Sequence, residues 1–162
     1  MITLILAKRK DAALIKDFRD KASKESQYNA IFNNLSLTNL KALLIDLTSE
    51  QCGRMYCAAI KTDAETAVTS MVGQLVLSIN TSDQTLHIDN IAVLREEYGS
   101  GLSKLLMDFA YKEASNIQPI TLIQLIVDNA NKRAVRFFEK QGFKYLKETK
   151  KGSSNHIYVK PV

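Results

Sequence analysis

The spacing of apolar and polar positions changes period several times along the chain, and each change marks an element. Residues 2–7, ITLILA, are a strand-sized apolar run. Beyond Lys8, Arg9 and Lys10, Asp11 fits a helix N-cap, and Leu14, Ile15, Phe18 and Ala22 recur behind it at helical spacing. A polar stretch containing Asn33 and Asn34 follows. Leu37, Leu40, Leu43, Leu44 and Leu47 then repeat at three and four residues, the stripe of a second amphipathic helix. From Arg54 the period shortens to two. Residues 54–60, 66–79 and 85–94 read as consecutive strands with polar turns at 61–65 and 80–84, an order that favours an antiparallel meander.

The second half alternates helix and strand. Leu102, Leu105, Leu106, Phe109 and Ala110 give one apolar stripe, predicting a helix that ends near residues 116–119. Residues 121–127, TLIQLIV, are almost continuously apolar and of strand length, so a strand buried in the sheet is expected there. Asn131 fits an N-cap for a short helix whose buried face is Ala134, Phe137 and Phe138, with Gly142 at the C′ position. Residues 143–148 and 156–160 read as two last strands joined by the turn KKGSSN.

Composition narrows the picture. A chain of 162 residues is expected to form a single domain over 1–162, and six glycines and two prolines are too few for a low-complexity linker. The apolar runs fall far short of the roughly 20 residues that cross a bilayer, so no membrane partner is expected. The basic cluster after ITLILA reverses the charge order of a secretory signal, which predicts a cytoplasmic protein. Cys52 and Cys57 stand five apart without a partnering Cys or His and read as two reduced thiols, with no metal site. The net charge of +5 is concentrated at the end: from residue 130 onward nine Lys and Arg face only Glu139 and Glu148. Such a basic third suits a phosphorylated ligand or a solvated face. Nucleic acid is not favoured, because no aromatic-interleaved RNA motif or basic recognition helix accompanies the charge.

The candidate chemistry lies between the third meander strand and the helix after it, at REEYGSGLSKLL (95–106). Gly99 and Gly101 let the backbone turn sharply and approach a ligand without a Cβ in the way, and the first N–H groups of the helix are unpaired. Those amides, the helix dipole and Lys104 together make an anion site suited to a pyrophosphate. The dinucleotide fingerprint GxGxxG lacks its third glycine here, and the Walker GKS or GKT is absent.

The order of elements, with two separated motifs, resembles the GNAT superfamily of CoA-dependent N-acyltransferases. IDNIAVL followed by Tyr98-Gly99-Ser100-Gly101-Leu102-Ser103 aligns with the family's strand and R/Q-x-x-G-x-G/A loop. LIVDNANKRAVRFFEKQGF supplies Leu125, Val127, Asn131, Ala134, Phe138, Gly142 and Phe143 in the register of its second motif. The resemblance implies an α/β (α+β) fold with a central, mixed, mostly antiparallel sheet of six to seven strands flanked by about four helices. It implies acetyl-CoA as cosubstrate, with the pantetheine arm along Ile91, Ala92 and Val93 and the pyrophosphate on the loop amides of Tyr98 to Ser103.

By the same resemblance Asp89 stands at the place of a general base. His87, two residues earlier, projects to the same face and carries the side chain that changes charge nearest neutrality. Asn131 matches an Asn that bonds the pantetheine arm, and Lys132 and Arg133 are further candidates for CoA phosphates. Phe138 stands where the family commonly has a Tyr acid, Tyr98 where Arg or Gln is usual, and Ser103 where Gly or Ala is usual. Tyr98, Tyr111, Tyr145 and Tyr158 are candidate replacement acids, with nothing in the spacing to select one. The reading is an N-acetyltransferase acting on a primary amine, a small molecule or peptide, by direct attack in a ternary complex. The alternative is a GNAT-like module that binds CoA without transfer. The family builds its acceptor pocket from segments that correspond to residues 8–50 and the terminal hairpin, which carry no motif that selects among a polyamine, an amino acid, an antibiotic amine, a peptide N-terminus and a protein lysine. An acyl group other than acetyl is equally compatible, and the sequence does not set an oligomeric state.

Overall fold

The computed structural model describes residues 1–28, 36–47 and 53–162. Its elements are β1 (Ile2–Leu6), α1 (Ala12–Glu25), α2 (Leu37–Leu47), β2 (Arg54–Thr62), β3 (Thr69–Asn80), β4 (Thr85–Val93), α3 (Leu102–Asn116), β5 (Leu122–Asp128), α4 (Lys132–Lys140), β6 (Lys144–Glu148) and β7 (Asn155–Pro161). The seven strands form one mixed sheet of order β1-β2-β3-β4-β5-β7-β6, the fold class expected from the sequence. Asn33, Asn34 and Cys52 lie outside the described residues; Cys57 is buried. No helix among the described residues is long and apolar enough to cross a membrane.

Two compact units are present. The first comprises Met1–Val76 and Asn90–Phe109. In it β1 pairs antiparallel with β2, from Ile2↔Lys61 to Leu6↔Cys57. Ile15, Phe18 and Ala22 of α1 are fully buried, as their spacing predicts, while Leu14 is half-buried. Asp11 precedes α1 as expected but does not cap it. A 3-10 turn over Arg9–Asp11 leads into the helix and directs the Asp11 carboxylate backward, where it accepts from Lys8 N at 2.8 Å. The second helix does have a side-chain cap: Ser36 Oγ accepts from Asn39 N at 3.2 Å, and Leu40 and Leu44 are buried beyond it.

The strand expected from residue 66 begins instead at Thr69. The Asp63 carboxylate accepts from Glu65 N, Thr66 N and the Thr66 hydroxyl, and this local side-chain turn competes with the ladder. Those bonds, the Thr66 amide first among them, hold the Asp63 carboxyl below its usual range.

The second unit comprises Leu77–Asp89 and Ala110–Val162. Here β4 and β5 pair in parallel from Thr85↔Leu122 to Ile88↔Leu125, and β5 pairs antiparallel with β7 from Leu122↔Pro161 to Asp128↔Asn155. The near-continuous apolar run of β5 is not buried on both faces. Ile123, Leu125 and Val127 are buried, whereas Ile126 is 57% exposed. β6 runs antiparallel to β7 with an irregularity between Tyr145 and Lys147, and four of its five residues are exposed.

Helix α4 is bounded by the residues the sequence marks. Asn131 Oδ1 accepts from Ala134 N at 3.2 Å. At the other end Gly142 has φ +91°, Gly142 N donates to Glu139 O and Phe143 N to Phe138 O, each at 3.0 Å. This is a Schellman closure, and the apolar contact that accompanies one is present, the Phe138 and Phe143 rings meeting edge-on at 5.9 Å. Val135 and Phe138 form the buried face of α4, with Ala134 and Phe137 half-buried.

Candidate active site

The end of β4, the loop behind it and the start of α3 all belong to the first unit. Ala92 and Val93 are buried and Ile91 is half-buried, and the strand ends where Leu94 N donates to Val72 O at 2.9 Å. A 3-10 turn over Arg95–Glu97 follows, stitched by Glu97 N to Leu94 O and Tyr98 N to Arg95 O. The carbonyl of Glu97 then accepts from both Ser100 N at 3.1 Å and Ser100 Oγ at 2.7 Å. Gly99 and Gly101 adopt φ of +81° and +88°, a region in which other residues are strained.

A Cβ built on either glycine meets nothing within 4 Å. Their conformation, not crowding by the protein, demands glycine, and the space beside them is free. Leu102 N bonds Ser100 Oγ at 3.3 Å, and the first helical bond of α3 is Leu105 N to Gly101 O. Among the described residues the backbone N–H groups of Gly99, Gly101, Ser103 and Lys104 have no acceptor. Four donors at the positive end of a 15-residue helix, beside two glycines with open space, fit a diphosphate. Lys104 Nζ pairs with Asp108 at 2.8 Å on the solvent side of α3, both side chains at least half exposed, so the cation is within the same turn but engaged along the helix. Tyr98 is exposed at the loop's entrance to the turn.

Sequence reasoning missed three residues that hold this loop. The Glu97 carboxylate, 5% exposed, pairs with Lys61 Nζ of β2 at 2.5 Å, and that bond raises the lysine pKa above its ordinary value. Glu25 at the end of α1 accepts from Arg95 N at 2.7 Å and through its carbonyl from the Arg95 guanidinium. Gly73 in β3 is the third. A Cβ there would stand 3.1 Å from Leu102 Cδ2, 3.3 Å from Val93 Cγ1 and 3.4 Å from Ala92 O. Its absence is what lets the first residue of α3 pack down on the sheet. An isolated glycine inside a strand pattern was the available signal for such a close approach. A shallow depression of about 340 Å³ is lined by Lys61, Asp63, Thr66, Val68, Ser70 and Glu96, and neither Gly99 nor Gly101 borders it.

His87, Asp89, Asn131 and Phe138 lie in the second unit. Asp89 is exposed and accepts from the Ser78 hydroxyl; His87 is half-buried. Asn131 spends its Oδ1 on the helix cap, leaving its amide N–H groups for other partners. Phe138 is buried and meets Phe137 at 5.3 Å as well as Phe143, so packing accounts for the aromatic ring at this position. Of the tyrosines, Tyr111 donates to Gln141 Oε1 at 3.1 Å under the Lys160 ammonium, and Tyr145 is 52% exposed. Burial above all, with Glu139 nearby, raises the Tyr158 pKa.

The sequence matches the model of the acetyltransferase (GNAT) family over residues 16–143, most of the chain, and the protein belongs to that family. It is an acetyltransferase of the GNAT type. A comparison with curated proteins returns no significant match. Among solved structures it is similar to a GNAT-family acetyltransferase from Streptococcus pneumoniae, with a TM-score of 0.80, 18% identity and all of both chains covered. It is also similar to PaiA N-acetyltransferase from Thermoplasma acidophilum in complex with coenzyme A, with a TM-score of 0.78, 18% identity, and 100% of this chain and 99% of that one covered. A spermidine N-acetyltransferase SpeG chimera from Vibrio cholerae and hSSAT gives a TM-score of 0.70 at 21% identity, covering 98% of this chain and 92% of that one. At these identities the likenesses establish the fold.

Proposed function

We propose that this protein transfers the acetyl group of acetyl-CoA to a primary amine by direct attack in a ternary complex. The observation that carries the reading is the glycine loop. Four amides without an acceptor among the described residues stand before and at the start of α3, beside two positive-φ glycines whose Cβ positions are open. In this reading the amides of residues 99–104 bind the CoA diphosphate, with Lys104 exchanging Asp108 for a phosphate, and the backbone of Ile91, Ala92 and Val93 aligns the pantetheine arm. Bound acetyl-CoA supplies an activated thioester carbonyl and a thiolate leaving group.

The remaining chemistry belongs to the chain. The acceptor nitrogen must be a neutral amine, so Asp89 takes the ammonium proton, with His87 two residues away on the same strand to relay it. The new N–C bond forms as the C–S bond breaks, and the second proton lost by the nitrogen passes to water. Phe138 donates no proton, so the thiolate leaves to solvent.

Calorimetric titration with acetyl-CoA tests the reading. The native protein is expected to bind, and Gly101→Asp is expected to abolish binding; the positive φ strains Asp by about 1–2 kcal/mol, but nothing lies within 4 Å of the new Cβ, and circular dichroism checks that the variant stays folded. The carboxylate would stand where the diphosphate binds. Absence of binding by the native protein refutes the cofactor site, and absence of free thiol release across a broad amine panel refutes transfer.

A further inference from the structure

Four polar side chains form a single hydrogen-bonded row through the first unit. Arg19 of α1 donates from Nε to the Tyr56 hydroxyl of β2 at 3.3 Å, with its guanidinium 5.6 Å from the centre of that ring. The Tyr56 hydroxyl donates to Gln74 Oε1 of β3, and Gln74 Nε2 donates to Asn90 Oδ1 of β4. Arg19, Tyr56 and Gln74 are buried and Asn90 is half-buried. Arg19 occupies the apolar stripe of α1, one position beyond Phe18, where a charge has no place unless it is partnered.

The direction of the row is fixed from the Arg19 end. A guanidinium has donors only and does not lose its proton. The Tyr56 oxygen therefore accepts from Arg19 and gives its own proton onward. Gln74 must turn its carbonyl toward Tyr56 and its amide nitrogen toward Asn90. Asn90 must in turn point its carbonyl inward, which leaves its Nδ2 facing outward as a donor. Reversing either amide would set two donors or two acceptors against each other in a buried environment. Among the described residues nothing accepts from Asn90 Nδ2. The donor stands at the residue that leads directly into Ile91, Ala92 and Val93.

We infer that the buried Arg19 cation, acting through Tyr56 and Gln74, makes Asn90 a fixed donor for the acceptor substrate. The enzyme then selects amines that carry a carbonyl or carboxylate next to the nitrogen, the chemistry of an amino acid or a peptide N-terminus, over polyamines. A polyamine, protonated away from its reacting nitrogen, offers only donors there and would meet the Asn90 amide with N–H against N–H. Tyr56 and Gln74 are positioning residues in this scheme. The inference rests on the acetyltransferase reading above.

The test is kcat/KM by thiol release for three amines: a free amino acid, its primary amide, and a diamine of matched length without a carbonyl. The native protein is expected to prefer the first two, and the ratio between them separates carboxylate from carbonyl recognition. Asn90→Asp keeps an acceptor for Gln74 but faces the substrate with an acceptor, so the preference should reverse toward the diamine by tenfold or more. Tyr56→Phe breaks the row, frees the two amides to rotate, and should erase the preference, chiefly through KM. Acetyl-CoA calorimetry on each variant shows that the fold and donor site persist. A native protein that prefers the diamine, an unchanged ratio in Asn90→Asp, or an equal loss for all three amines overturns the inference. If acetyl-CoA binds and turns over in those experiments, the acetyltransferase reading stands without it; if native protein shows neither, both fall.

Discussion

Replacing Gly73 by Ala should loosen the glycine loop of residues 98–103 from a position outside that loop. The added methyl would lie 3.1 Å from Leu102 Cδ2, 3.3 Å from Val93 Cγ1 and 3.4 Å from the Ala92 carbonyl oxygen. Leu102 is 2% exposed and Val93 8%, so neither side chain has an easy route of retreat. Overpacking of this kind costs about 1–3 kcal/mol. Ala in a strand recovers roughly 0.5–1 kcal/mol relative to Gly by restricting the unfolded chain. The two effects leave a net loss centred on about 1 kcal/mol, or roughly 2–4 °C in Tm for a chain of 162 residues.

Relief of the clash should come from lifting Leu102, the first residue of α3, which carries the loop amides with it. Acetyl-CoA affinity is then expected to fall about tenfold, 1.4 kcal/mol. Urea denaturation gives the first quantity and calorimetry the second. A double-mutant cycle with Leu102→Ala isolates the contact: the pair should be less destabilised than the sum of the single changes by at least about 0.5 kcal/mol. A Gly73→Ala protein as stable as the native one, with unchanged affinity, would refute the close approach and the positioning role drawn from it.

Asn131→Ala should cost about 1 kcal/mol in urea denaturation by removing the cap on α4, and Asn131→Asp should retain most of that stability because a carboxylate can make the same bond to Ala134 N. At alkaline pH, burial raises the Tyr56 pKa and the bond to Glu97 raises that of Lys61. The folded state therefore holds both protons more tightly than the unfolded chain. Stability from these groups is complete below their ordinary values near pH 10 and falls as pH rises beyond them, and the denaturation midpoint should drop less steeply in Tyr56→Phe. Asp63 behaves in the opposite sense: its lowered pKa contributes stability at neutral pH that is lost on acidification below its usual range, and Thr66→Ala should weaken that loss.

The parts of the fold legible in the sequence were those governed by local rules. Asn131 and Gly142 bound α4 because a cap and a positive-φ turn are single-residue requirements, and the leucine stripe of α2 follows from its period alone. Asp11 misled because a carboxylate before a helix can bond forward or backward, and only the 3-10 turn ahead of α1 decides. The exposure of Ile126 was illegible for a different reason. An apolar run gives no period to separate its faces, so which one faces solvent depends on what packs above the sheet. At the candidate site, Gly99 and Gly101 announced themselves by pattern. The Lys61–Glu97 pair, 36 positions apart, and the row from Arg19 to Asn90 join elements that no window of sequence compares, although a charge on the apolar stripe of α1 was the visible clue.

The two outer strands of the sheet, β1 and β6, are protected unequally against joining other chains. β6 has an irregular register near Leu146 and carries Lys144 and Lys147, devices that discourage another strand from adding to an open edge. β1, ITLIL, is short but has no charge, bulge or proline, and its Leu6 is 51% exposed. If this protein clouds or gels when concentrated, the polymerising contact should begin at β1, and a single lysine at Leu6 should suppress it where the same change in β6 would do little.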